Sequence, residues 1–414
     1  MKHIIILGDG MADKAIDRLN GMTPLQYAKT PYMDLLARKG KTGRLVTIPD
    51  GYNPGSEVAN TAILGYDLDS VYEGRGPLEA ASIGYEMETN DLALRCNIIS
   101  VRNDGTIKTH NGGNLTTTEA KPLIDLLNEK LGNDKIKWIC GIQYRHLLII
   151  KGGSKHIICT PPHDHPNEQW KPLLVTPEIG WEDRYEEGRM TAKETANLIN
   201  DLILQSMDVL ENAPLNIERK KQGLDLANII WPWSGGYRPA MKPLSEQYDC
   251  IKTGAVVSAV DLIKGIGHYA GLDIVEVEGA TGLWDTNYEG KTKAALDNLR
   301  TKDFVFLHVE ASDEAGHDGD IDLKVRTIEA LDSRMIGPIY EEVKDWAEPV
   351  CIAVLPDHFT PVEQRIHVGE PVPFIIWHPG IIPDETQVYD EISCVTGGYG
   401  LIRLNQFMKL LMQC

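Results

Sequence analysis

The chain has 414 residues, 42% of them hydrophobic, and a formal net charge of −19 at pH 7. That length exceeds one simple core and points to two domains, or to one domain carrying a large insertion. The acidic balance argues against nucleic acid as a partner, which needs a basic footprint, while an anionic small molecule stays compatible because a bound metal inverts the local field.

The N-terminus, MKHIIILGDGMADKA, has a short apolar stretch followed at once by a carboxylate, so a signal peptide is not expected there. No run of about 18 apolar residues exists, and no membrane span is expected. Within that N-terminus, HIIILG (3–8) predicts a short buried strand. TPYMDLLARKG (30–40) has helical spacing with a glycine stop. TIPDGYNPGSEVANTAILGYD begins as a Gly/Pro-rich loop and turns helical near Glu57.

The middle of the chain differs. DLALRCNIISV, GTIKTH and YRHLLIIKGG predict strands, and TTTEAKPLIDLLNEKL and MTAKETANLINDLILQSMDVLENA predict helices, of a smaller α+β unit. LANIIWPWSGGYRP reads as an aromatic, glycine-rich join. From about residue 250 strand and helix alternate, through AVVSAVDLIKGIGHYAGL, DIVEVEG, YEGKTKAALDNL, DFVFLHVE, KVRTIEALDSRMIGPIYEEV, PVCIAVL and VPFIIWHPG. Such alternation predicts a mostly parallel sheet with helices on both faces. The first strand is too far from this block to be a small domain of its own. The reading is therefore an α/β core built from residues 1–88 and 246–414, interrupted by an inserted α+β domain, 89–245. The seven cysteines (Cys96, Cys140, Cys159, Cys250, Cys351, Cys394, Cys414) are odd in number and widely spaced, which suggests reduced thiols in the cytoplasm. None forms a CxxC pair, so no thiolate zinc site is expected.

In parallel sheets, active sites collect beyond the carboxyl ends of the strands. HIIILG ends in Asp9; DFVFLHVE is followed by Asp313 and His317; PVCIAVLP is followed by Asp357 and His358; His367 stands before PVPFIIW. Each has an ordinary reading alone, as a helix-capping Asp or a packed His. Together, three carboxylates and three histidines are what two adjacent divalent ions require, Mn²⁺ or Zn²⁺ above all, with Mg²⁺ compatible. A two-metal site serves phosphoryl or hydrolytic chemistry and wants a nucleophile. Ser56, after Gly55 and at a predicted helix start, offers one. The same pattern also suits a plain N-cap serine.

The order Asp9, Ser56, Asp313-x-x-x-His317, Asp357-His358, His367 resembles the alkaline phosphatase superfamily. More narrowly it resembles the archaeal type of cofactor-independent phosphoglycerate mutase, through GDGMAD, GSEVANTAILGYD, GRGPLEAAS, GATGLWDTNYEGK, EASDEAGHDGD and HVGEPVPF, spread over nearly the whole chain. The resemblance implies an alkaline-phosphatase-like core with an inserted domain. It implies one metal held by Asp313, His317 and His367, and another by Asp9, Ser56, Asp357 and His358. It further implies a phosphoserine at Ser56 that passes the phosphoryl group between the 3- and 2-positions of glycerate, with no bisphosphoglycerate. Lys264, in AVDLIKGIG, falls where the family has a lysine near the phosphate; otherwise it is a surface lysine on an amphipathic helix.

Two elements depart from the mutase pattern. NDGTIKTHNGGN lacks the arginines expected after the turn of the inserted domain, and WPWSGGYRP stands where an RGxG-like element is usual. WPWSGGYRP instead looks like a subgroup proposed to be homoserine kinases. Candidates for contact with a small phosphorylated or hydroxylated acid are Arg75, Arg95, His110 and His163. The glycines of GRGP around Arg75 read as room for backbone to approach a ligand. HDHP (163–166) reads as a solvated loop rather than a third metal site. A homoserine-kinase-like phosphotransferase and a non-catalytic metal-binding relative stand as alternatives; no P-loop is present.

Overall fold

The computed structural model describes residues 1–413. They divide into two compact units, residues 1–72 with the chain from 240 onward, and residues 73–239. In chain order the first unit supplies β1 (Lys2–Gly8) and β2 (Lys41–Val46). The second supplies β3 (Asp91–Val101), β4 (Ile107–Thr109), β5 (Ile136–Ile139), β6 (Arg145–Lys151), β7 (Ile157–Ile158), β8 (Thr176–Pro177) and β9 (Ile229–Gly236). The chain then returns to the first unit for β10 (Gly254–Val257), β11 (Asp273–Val275), β12 (Phe304–Val309), β13 (Val350–Leu355), β14 (Val372–Trp377) and β15 (Leu401–Arg403).

The first unit is built on an eight-stranded sheet of order β11-β10-β12-β1-β13-β14-β2-β15. β1, β12 and β13 are buried at every residue, which is why they read as largely apolar runs, broken only by Lys2 and His3 in β1 and His308 in β12. Ile4, Ile6, Val305, Leu307, Ile352 and Val354 join one core cluster with residues of the helices Pro31–Lys39, Tyr288–Thr301 and Ile321–Leu331. Ile5, Leu7, Phe306 and Ala353, pointing to the opposite face, are equally buried. Both faces are therefore covered, as a parallel sheet requires. β1 runs parallel to both β12 and β13, whereas β14 runs antiparallel to β13. The antiparallel turn brings the start of β14 to the edge where the parallel strands end, so a residue before β14 and residues after β1, β12 and β13 meet.

The second unit is an antiparallel sheet in which β3 pairs with β4, β6 and β9. The helices Thr117–Leu131 and Ala192–Glu211 each open with a reciprocal capping box, Thr116/Glu119 and Thr191/Glu194. LANIIWPWSGGYRP is not the join that its composition suggests. Much of it is β9, whose Trp231 and Trp233 are 2% and 7% exposed. Buried aromatic surface outweighs the turn character of Pro, Ser and Gly there.

The observed division at 72/73 and 239/240 falls earlier than the expected 88/89 and 245/246. The helix Arg75–Ser82 packs on β3 and β9: a Cβ on Gly76 would collide with the carbonyl of Ala93. The glycines beside Arg75 thus admit sheet backbone, where the sequence suggested a ligand. Beyond 240, Leu244 is fully buried in the first unit and its N–H donates to Ala270 O. The six described cysteines are free thiols; Cys414 lies outside the described residues. Among the described residues, no helix is long and apolar enough to cross a membrane.

Candidate active site

Asp9 follows β1 directly, and Asp357 and His358 follow β13 after one intervening proline. β12 runs through Glu310 into the helix Ala311–Asp318, where Asp313 and His317, four residues apart, share one face. His367 precedes β14. The topology gathers all six at one edge of the sheet.

There the donors converge in two adjoining groups. In the first, His317 Nε2 is 3.2 Å from Asp313 Oδ2, His367 Nε2 is 3.4 Å from Asp313 Oδ1, and the two Nε2 atoms are 2.8 Å apart. In the second, His358 Nε2 lies 3.5 Å from Asp9 Oδ1, 3.4 Å from Asp357 Oδ2 and 3.1 Å from Ser56 Oγ. Asp313, His317 and His367 can hold one ion, and Asp9, Asp313 and His358 can converge on another. The far nitrogens of the rings are tethered, which aims Nε2 inward. His317 Nδ1 is 3.0 Å from Arg365 O, His367 Nδ1 is 3.4 Å from Pro54 O, and His358 Nδ1 is 3.2 Å from Thr360 Oγ1.

The electrostatics fit cations. Burial, then the charges of Asp357, Asp313 and Glu310, push Asp9 well above the usual carboxylate range. Burial and the neighbouring carboxylates raise Glu310 to about 8. Burial also opposes ionisation of Asp313, but hydrogen bonds from His317 and His367 outweigh it and hold its carboxyl well below the usual range. The hydrogen bond to Asp313 raises His317 to about 9, whereas burial lowers His358. Asp9 Oδ1 is buried without a hydrogen-bond partner. An orphaned carboxylate oxygen facing imidazoles and further carboxylates is a donor set suited to divalent metal ions.

Ser56 is the first residue of the helix Ser56–Ile63, whose N-cap is Gly55 with no side-chain cap bond. Its hydroxyl is therefore not a cap; it reaches His358. Three residues without a sequence assignment fix this corner. Asn60 Nδ2 donates to Ser56 O at 2.8 Å and to Asp357 Oδ2 at 2.9 Å, tying the serine's turn to the second group. His308 Nε2 is 2.8 Å from Asp9 Oδ2, and its Nδ1 is 3.1 Å from Ser258 Oγ. A neutral imidazole donating to Asp9 accepts the Ser258 hydroxyl at its other nitrogen, so Ser258 selects the tautomer that orients Asp9. Asn60 stands one turn after Ser56, and His308 interrupts an otherwise apolar strand; those were the available signals.

Lys264 does not touch either donor group. Its Nζ is held by Glu276 at 2.8 and 2.9 Å. In the second unit, Arg95 pairs with Glu79 at 2.9 Å and stacks over Trp233 at 4.3 Å. Burial lowers Arg95, Glu79 opposes this, and the nearby Arg75 and Arg145 lower it further. His163 stands 5.3 Å from Trp233 and 6.1 Å from His110, ring to ring. Arg75, Arg95, His110 and His163 thus belong to one cationic, aromatic neighbourhood, to which Arg145 adds a charge that the sequence reading missed. His165 pairs with Glu168 at 3.0 Å, and HDHP forms no metal-holding group among the described residues.

A family model described as 2,3-bisphosphoglycerate-independent phosphoglycerate mutase matches residues 37–216. A Methanosarcina barkeri protein of that name is 45% identical over 415 residues, covering 100% of both chains. The chain belongs to this family. A Methanothermobacter thermautotrophicus member is 43% identical and covers 100% of this chain and 97% of its own. A solved Pyrococcus horikoshii structure superposes with a TM-score of 0.82 at 32% identity, over 100% of this chain and 96% of that one. The cofactor-independent phosphoglycerate mutase of Thermoplasma acidophilum gives 0.70 at 26% identity, over 100% and 99%. The homoserine-kinase alternative finds no support in these comparisons. The stretch that suggested it, WPWSGGYRP, is largely the buried strand β9.

Proposed function

We propose that the chain interconverts 3- and 2-phosphoglycerate by way of a phosphoserine at Ser56, without bisphosphoglycerate. The observation that carries the reading is the Ser56 hydroxyl, 3.1 Å from His358 Nε2 at a helix start that it does not cap. Ser56 Oγ attacks the substrate phosphorus as the phosphorus bond to the glycerate 3-oxygen breaks. The proton lost by Oγ is balanced by the one gained by that oxygen. The glycerate reorients, its 2-hydroxyl attacks the phosphoserine, and the serine hydroxyl is restored.

Asp313, His317 and His367 would hold one divalent ion, and Asp9, Ser56, Asp357 and His358 the other, Mn²⁺ or Zn²⁺ before Mg²⁺. Two such ions acidify a serine hydroxyl and neutralise charge on a phosphoryl group. Asn60 keeps the serine's turn in place, and the N–H groups at the helix start would be the donors for the phosphoryl oxygens. Lys264 is the core's cation for the phosphate. Its side chain is 11% exposed and that of its partner Glu276 is 74% exposed, so an exchange of Glu276 for phosphate would leave the carboxylate in solvent. Arg75, Arg95, His110 and His163 are the groups suited to the carboxylate and phosphate of a small acid. The free thiols suit the cytoplasm.

The test is an assay of metal-stripped protein with 3-phosphoglycerate. Conversion should appear on adding Mn²⁺ or Zn²⁺, need no bisphosphoglycerate, and vanish with chelator. Absence of conversion with Mn²⁺, Zn²⁺ and Mg²⁺, alongside phosphorylation of homoserine from a phosphoryl donor, would overturn the reading.

A further inference from the structure

Behind the donor groups lies a second polar cluster that the proposed reaction does not use. Lys324, on the helix Ile321–Leu331, is fully buried. Its ammonium donates to Thr360 O at 2.7 Å, Asp13 Oδ2 at 2.8 Å and, at 3.4 Å, Ala12 O. Asp13 also accepts from Val362 N at 3.1 Å and Lys14 N at 2.7 Å, and its own N–H donates to Glu391 Oε1 at 2.9 Å.

These contacts join two segments. One runs on from Asp9 through Ala12 and Asp13; the other runs on from Asp357 and His358 through Thr360 and Val362. Thr360 then reaches the third strand end. Its Oγ1 lies 2.5 Å from Asp313 Oδ1 and 3.2 Å from His358 Nδ1, and its N–H donates to Ala12 O at 3.2 Å. The helix bearing Asp313 and His317 rests on the same residue, since a Cβ on Gly316 would collide with Thr360 O.

A buried ion pair stabilises a fold no better than apolar residues of equal volume. What an ammonium offers instead is direction, three donors spread over three fixed acceptors. We propose that Lys324 is a positioning residue that, through Thr360 and Asp13, sets the mutual spacing of Asp9, Asp313 and His358, and so the affinity of the site for divalent metal. The proposal rests on the metal-binding reading of those ligands.

The experiment is calorimetric titration of metal-stripped protein with Mn²⁺, beside thermal unfolding of the same metal-free samples. Wild type is compared with Lys324→Met and with Lys324→Met/Asp13→Asn, the second removing the carboxylate that the first leaves buried and unpaired. Mn²⁺ affinity should fall by about 10- to 100-fold in both, the usual scale for losing support behind a ligand. The unfolding midpoint should drop in the single variant and recover in the double. Recovered stability without recovered affinity is the signature of positioning. A double variant that folds and binds Mn²⁺ as wild type does would overturn the proposal. So would a double variant that cannot fold, because Lys324 would then serve the fold itself. Failure of wild type to bind Mn²⁺ would instead overturn the metal reading on which the proposal rests.

Discussion

Gly10 shows how little space surrounds the donors. Its φ is +56°, and a Cβ there would stand 2.5 Å from both Asp313 Oδ1 and Thr360 Oγ1. Gly10→Ala adds backbone strain and pushes Asp313 from its place. We expect a loss of about 1–3 kcal/mol in stability. Turnover should fall more than tenfold, because misplaced reacting groups cost about 100-fold per ångström. Thermal unfolding and steady-state assay check both; unchanged turnover would show that Asp313 does not need this position. The sequence pointed to the Asp and His residues that converge at the sheet edge, since such residues beyond apolar runs are conspicuous. It did not show what supports them. His308, Asn60 and Thr360 act through contacts with residues distant in the chain, and no local spacing records those. Ser56 was ambiguous for a similar reason: nucleophile and cap share a local pattern, and only the cap at Gly55 and the contact with His358 separate them.

The helix Ala311–Asp318 ties secondary structure to the pH behaviour of the site. Its turn sets His317 against Asp313, and that contact raises His317 from an ordinary 6.5 to about 9. In the metal-free protein the charged imidazole therefore adds stability that is fully present below 6.5 and lost as pH rises through about 9. The same proton must leave before Nε2 can bind a metal. The His317 proton alone should thus make Mn²⁺ affinity climb by about tenfold per pH unit below 9, with any proton held by Asp9 adding to the slope, while the metal-free fold loses stability over that range. Titration calorimetry at pH 7, 8 and 9 reads the first, and thermal unfolding of metal-free protein reads the second. Affinity independent of pH across that span would remove His317 from the ligand set. Among elements, those with one clear pattern were legible: the helix Pro31–Lys39 and the mostly apolar β1, β12 and β13. β9 was not, because Trp-Pro-Trp-Ser-Gly-Gly has turn chemistry and only the burial of its tryptophans makes it a strand. The antiparallel direction of β14, which places His367 at the active edge, leaves no trace in its own residues.

At the scale of the whole molecule, the split of the core into two chain segments was legible from the isolated first strand. The limits of the insertion were less so, because the helix Arg75–Ser82 packs on a sheet formed later in the chain. A net charge of −19 repels an anionic substrate at long range, so any affinity for one must be local. The arginines Arg75, Arg95 and Arg145 in one unit and the metal-type donors in the other are the local groups that the proposed function assigns to that need. The central proposal is that Ser56, whose hydroxyl reaches His358 at 3.1 Å, carries the phosphoryl group during turnover. The direct measurement is an acid quench of the Mn²⁺-loaded protein reacting with 3-phosphoglycerate, followed by mass-spectrometric mapping of the phosphate. Phosphate should be found on Ser56 in the wild type and be absent in Ser56→Ala, which should also lose turnover. That variant should keep its stability to within about 0.5–1 kcal/mol, as expected of a residue that is not the helix cap. An Ser56→Ala protein that still interconverts the two phosphoglycerates at near wild-type rate would contradict the account.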